Sequence, residues 1–210
     1  MDMRLRSAVL SLMLSGSLVS CGTGSVAPQG TDRASAEAGQ ASDPTRMTTA
    51  LAIRVFRDLC MANPTREDAR QVWLQKMGFQ RVSAPLASVH LSAGPGTVWL
   101  RPDPAPVGFP IVVVTRPSGI QCEVRSPVAE PDSAAQAFAD AVQGIATPGL
   151  VIRKDADSQS HPAGGPGRYV AFRVGAAPIE KGGFHFAMSA RPPERGRLAL
   201  LMTASPAAPE

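Results

Sequence analysis

Phe109-Pro110-Ile111-Val112-Val113-Val114-Thr115-Arg116-Pro117-Ser118-Gly119-Ile120-Gln121-Cys122-Glu123-Val124 sets the fold class of this chain. Its first half is a continuous β-branched run, the pattern of a strand covered on both faces. Arg116-Pro117-Ser118-Gly119 is a turn of hairpin length, with Pro and Gly supplying the backbone angles. The returning half alternates: Ile120, Cys122 and Val124 share one face, and Gln121, Glu123 and Arg125 the other. An antiparallel hairpin with Cys122 directed into a core follows.

Upstream, Thr97-Val98-Trp99-Leu100-Arg101 reads as another strand after an Ala93–Gly96 turn, and Val89-His90-Leu91 as a short first strand. Before these the period changes to that of helices. Thr48 or Thr49 can cap a helix ending near Met61, with Leu51, Val55 and Leu59 on one stripe and Ala52, Phe56 and Cys60 beside it. A second helix opens at Thr65 with Asp68 three residues on, buries Ala69, Val72, Trp73 and Met77, and stops at Gly78. Downstream, Pro131-Asp132-Ser133 opens a third helix with Ala135, Phe138, Ala139 and Val142 inward. Leu150–Ile152 is a strand, Asp155–Gly167 reads as a long polar loop, and Tyr169–Val174, Gly183–Ser189 and Leu198–Thr203 complete a meander. The expectation is α+β: an N-terminal helical hairpin, a mainly antiparallel sheet, and one further helix packed on the sheet.

The N-terminus is a different kind of sequence. Arg4 and Arg6 precede a short apolar run that ends Leu18-Val19-Ser20-Cys21-Gly22. The run is shorter than the about 20 apolar residues of a membrane span, and it has the form of a secretory leader. Leu18–Cys21 follows the bacterial lipobox pattern, so Cys21 is the expected lipidation site and residues 1–20 the lipoprotein signal peptide. The alternatives are an ordinary cleaved leader with a chance cysteine and an uncleaved anchor. Residues 21–46 hold small and polar residues with Val26 as the one large aliphatic, the composition of a flexible tether. A single domain is expected over 47–205, with a disordered tail at 206–210.

The formal net charge is +4, of which residues 1–20 carry +1 through Arg4, Arg6 and Asp2. Outside Arg191, Arg195 and Arg197 the basic residues alternate with acids. Nucleic-acid binding, which concentrates charge on a patch, is not expected. Twenty prolines and nineteen glycines with few aromatics point to a small core and many turns. Setting Cys21 aside leaves Cys60 and Cys122 in a chain addressed to an oxidising compartment, and an even pair there reads as a disulfide. Two buried thiols or a metal pair are the alternatives, although no histidine stands at ligand spacing.

No catalytic or cofactor motif follows. His90, His161 and His185 are widely separated, and His185 alternates with Phe184 and Phe186, so it points away from the rings. Gly164-Gly165-Pro166-Gly167 lacks the Lys-Ser/Thr of a phosphate loop, and Pro166 removes a donor. Asp155, Asp157 and Ser158 lack the remaining ligands of a calcium loop. Trp73 and Trp99 lie on apolar stripes, as core residues do. No catalytic, cofactor-binding or metal residue is therefore assigned.

The segments Phe56-x-x-x-Cys60, Gly94-x-Gly96-x-Val98-Trp99, Phe109–Val114, Ser118-Gly119-Ile120-x-Cys122-x-Val124 and Asp132–Phe138 together resemble a family of small uncharacterised proteobacterial secreted proteins and lipoproteins. The turn before Cys122 is one residue longer than the Asp-Gly-x-Cys form expected there. The resemblance implies an envelope protein without assigned activity and supplies no site residues. Taken with the leader, it makes the expected protein a membrane-anchored envelope lipoprotein, held by its N-terminal lipid in the outer membrane and facing the periplasm. The expected role is non-catalytic binding of, or support for, an envelope protein assembly. A small-ligand or glycan-binding lipoprotein and an unrecognised envelope hydrolase are the other two readings.

Overall fold

A computed structural model of the chain describes residues 44–62, 66–91, 94–101, 110–116, 121–127, 130–179, 182–193 and 198–208. Helix α1 (Pro44–Phe56) continues through a π turn at Arg57–Met61 and is followed by α2 (Glu67–Lys76). Strand β1 (Gln80–Arg81), a single-turn helix α3 (Ala84–Ala87) and a 3₁₀ turn (Ser88–His90) come next. They precede β2 (Thr97–Arg101), β3 (Ile111–Thr115) and β4 (Cys122–Ser126). Helix α4 (Pro131–Gln143) then leads to β5 (Leu150–Ser160), β6 (Pro166–Ala176), β7 (Gly183–Ala190) and β8 (Leu200–Ala207). The fold is α+β, with the sheet dominant.

The eight strands form one sheet in the order β1-β2-β3-β4-β8-β7-β6-β5, every neighbouring pair antiparallel. It consists of two four-stranded meanders joined where β4 meets β8. Helix α4 carries the chain from the middle strand to the far edge. The expected hairpin supplies β3 and β4, and Val113 faces Val124 across it.

Two cores form because the central strands are apolar on both faces. Helices α1 and α4 cover one face, where Phe56 and Phe138 pack at 5.8 Å between ring centres. Phe186 of β7 meets Phe56 edge-on, and Phe172 of β6 meets Phe138. Such contacts add to simple area burial. On the opposite face, Val98, Val112 and Val114 make a smaller cluster with Ala87, and Leu91 and Leu198 pack against it. Cys60 and Cys122 form a disulfide within the larger core.

Five local expectations are corrected. Helix α1 begins at Pro44, within the expected tether, and Thr48 and Thr49 lie buried inside it instead of capping it. The Thr49 hydroxyl donates to the Pro127 carbonyl at 3.4 Å. In α2 the buried residues are Arg70 and Leu74, and Val72 is 53% exposed. Arg70 is admitted to the interior by its ion pair with Glu67 at 2.7 Å, whose carboxylate also accepts from Thr115. The inward face of α2 thus includes Arg70 and Leu74, while Trp73 and Met77 of the expected stripe still pack against the larger core. Thr65, the expected cap, lies outside the described residues; Gly78 does end α2, at φ +79°, with the Phe79 amide donating to Leu74.

Val89-His90-Leu91 is not a strand. Pro85 sits in the first turn of α3, where proline suits a helix, and Gln80–Arg81 pairs with β2 in its place. Asp155–Gly167 is not a loop but the end of β5, a five-residue turn and the start of β6. Its polarity is that of an edge strand. Asp155 pairs with Arg153 and with Arg173 across the strands, and Asp157 with Lys154 and Arg168. Two register shifts and these charges guard the edge against further pairing. Finally, β8 extends to Ala207, because Gly183 and Phe184 of β7 pair with Ala207 and Pro206.

Candidate functional site

The sheet carries charge on both faces: Arg168 of β6 meets Asp132 of α4 at 3.0 Å, and a second group lies on the face away from α1 and α4. There β4 presents Glu123 and Arg125, as its alternation requires. One oxygen of Glu123 accepts from Arg116 and the other from Arg125, each at 2.7 Å. The Glu123 and Arg116 side chains are 6% exposed, which makes this a buried ion triad. Arg116 also donates to the Gly94 carbonyl at 2.8 Å and Arg125 to that of His90 at 3.4 Å. The triad therefore pins the segment after α3 onto the sheet. Gly96 permits the close approach, since a Cβ there would stand 2.7 Å from the Thr115 carbonyl oxygen.

A groove of about 310 Å³ adjoins Arg125. Its floor is a cross-strand row, Arg125 of β4 opposite Leu201 of β8 opposite Ser189 of β7. Leu198 and Ala199 form an apolar wall, and His161 and Arg191 close one end. The Arg191 guanidinium lies 3.3 Å from His161 Nδ1, which also accepts from the Ala163 amide at 3.1 Å. Arg191 is anchored by its own amide, which donates to the Ala199 carbonyl. Desolvation, followed by the charge of Arg191, holds the His161 imidazole below its ordinary range. His90 is lowered the same way, by burial and then by Arg125. Among the described residues no carboxylate lines the groove.

The residues singled out from the sequence are distributed as follows. Cys21 lies outside the described residues. Cys60 and Cys122 are bonded, with Cα atoms 5.6 Å apart. His185 faces away from Phe184 and Phe186, in register with Ser205 and Arg173, and adjoins no second histidine in that row. Among the described residues no group of three or more His, Cys, Asp or Glu side chains is placed to hold a metal. Asp155 and Asp157 are occupied by the ion pairs of β5. Gly164 and Gly165, both at positive φ, close the β5–β6 hairpin, and the Gly164 amide is used by the His161 carbonyl. Trp99 is buried and Trp73 packs against the same core.

Reading the strand by alternation put Glu123 and Arg125 on one face but did not join them to Arg116, His161 or Arg191. Those three belong to turns, which carry no periodicity. Comparison with family models, curated proteins and solved structures found no match to this chain. No described helix is long and apolar enough to cross a membrane.

Proposed function

We propose that this chain is a lipid-anchored protein of the bacterial cell envelope that works without catalysis, as a binding or assembly-support module. One observation carries the reading: Leu18-Val19-Ser20-Cys21 behind a basic, short apolar leader. Gly22 after the acylated cysteine, in place of an aspartate, favours the outer membrane, with the domain facing the periplasm. The resemblance to small secreted proteobacterial proteins and lipoproteins points the same way. Twenty-two residues, Gly22–Asp43, lie between Cys21 and the start of α1.

The test is metabolic labelling with a fatty-acid analogue. Label on the parent chain and none on Cys21→Ser, which leaves the membrane fraction, is the expected result. Equal labelling and membrane retention of Cys21→Ser would remove the lipid anchor from the reading. The non-catalytic part is tested by a hydrolase screen, in which turnover abolished by His161→Ala or His185→Ala would make the protein an enzyme.

A further inference from the structure

We propose that the groove between Arg125 and Arg191 is a binding site for a phosphate-type oxyanion, either free phosphate compounds or the phosphate of a lipid headgroup. It goes beyond the lipoprotein reading and stands on the groove alone, whether or not Cys21 is acylated.

The charge balance is the first argument. Arg116 and Arg125 share the single carboxylate of Glu123, so that triad keeps one net positive charge beside the groove. Arg191 adds another. Its side chain meets His161, not a carboxylate, among the described residues. Two guanidiniums placed so, one half-buried at the floor and one at the rim, match an anion that accepts hydrogen bonds from several directions. Guanidinium geometry suits phosphate oxygens in particular.

Position is the second argument. Arg125 is held by Glu123 and by the His90 carbonyl, and its neighbour on the floor is Leu201. Arg191 is fixed at the backbone by Ala199 and at the side chain by His161. Little ordering is then left to do on binding, which favours affinity. Leu198 and Ala199 give the groove an apolar wall that concentrates the field of the two cations. Ser189, across from Leu201, supplies a hydroxyl able to donate to an oxyanion. His161 accepts at Nδ1 from the Ala163 amide, so its neutral imidazole carries the proton on Nε2, a further donor.

The test is an NMR titration of the full chain in detergent micelles with inorganic phosphate, at constant ionic strength set by chloride. Saturable shifts of the Ser189, Arg191 and Leu201 amides are expected. In Arg191→Gln the affinity should fall about tenfold, the loss of one charge-assisted contact, and Arg191→Lys should recover part of it. Ser189→Asp, which puts a negative charge on the floor, should abolish the shifts while leaving the far-sheet amides of β2 unchanged. Absence of saturable shifts, or equal affinity in parent, Arg191→Gln and Ser189→Asp, would overturn the proposal. Phosphatidylglycerol vesicles form the second arm. If they displace inorganic phosphate from the groove, the headgroup is the source; if they do not, a soluble phosphate compound is.

Discussion

Cys60, in the π turn that ends α1, and Cys122, the first residue of β4, are bonded across 62 residues of chain with their Cα atoms 5.6 Å apart. Both are fully buried. The bond joins the first helix to the strand at which the two meanders meet, since β4 pairs with β3 on one side and β8 on the other. Closing a loop of this length stabilises by about 4 kcal/mol in the chain-entropy model. At about 2–4 °C per kcal/mol in a domain of this size, the Cys60→Ala/Cys122→Ala protein should melt roughly 10 °C below the oxidised parent. Calorimetry of the oxidised and reduced protein checks it; equal melting temperatures would refute the assigned contribution.

Glu123→Gln should be the more damaging of two changes in the buried triad. It leaves Arg116 and Arg125 facing each other with no carboxylate, and breaking a buried pair costs about 3–5 kcal/mol. Arg125→Gln leaves Glu123 paired to Arg116, and Arg125 itself is 23% exposed, so a smaller loss is expected. Urea unfolding of both variants decides the order.

Glu130 caps α4 by accepting from the Asp132 and Ser133 amides. Those hydrogen bonds, that of Asp132 first, hold its carboxyl below the ordinary range. The folded state therefore prefers the ionised form, and the cap contributes fully at pH values above the unfolded pKa. It is lost as pH falls through the lowered folded value. Glu130→Ala should cost about 1 kcal/mol near neutrality and nothing below that window. Unfolding measured at neutral and strongly acidic pH separates the two; the same loss at both would sink the cap.

Helix α2 offers a contrasting pair of substitutions. Leu74 is fully buried and Val72 is 53% exposed. Leu74→Ala should lose about 2–5 kcal/mol, and Val72→Ala should stay within about 0.5 kcal/mol. Comparable losses at both positions would restore the simple apolar stripe.

Strand β3 with its alternating partner β4, helix α4 with Phe138, and the meander from β6 to β8 were all legible as patterns of period 2 or 3.6. So was the inward direction of Cys60 and Cys122, each from its own element. The pattern failed where polar residues were satisfied by partners distant in sequence. Arg70 stands outside the apolar pattern of α2, and only Glu67 and Thr115 account for its burial. Asp155 and Asp157 looked like loop residues until Arg173 and Arg168 of β6 stood beside them.

Local sequence settled the α+β class, the β3–β4 hairpin and the apolar faces of β4 and α4, because those depend on neighbours a few residues away. The joining of β4 to β8, the meeting of Phe56 with Phe186, and the gathering of Arg116, Glu123, Arg125, His161 and Arg191 on one face were decided by tertiary structure alone. Strand order and cross-chain ion pairs are set by the competition of long-range contacts for the same partners, and no short stretch of residues records its outcome.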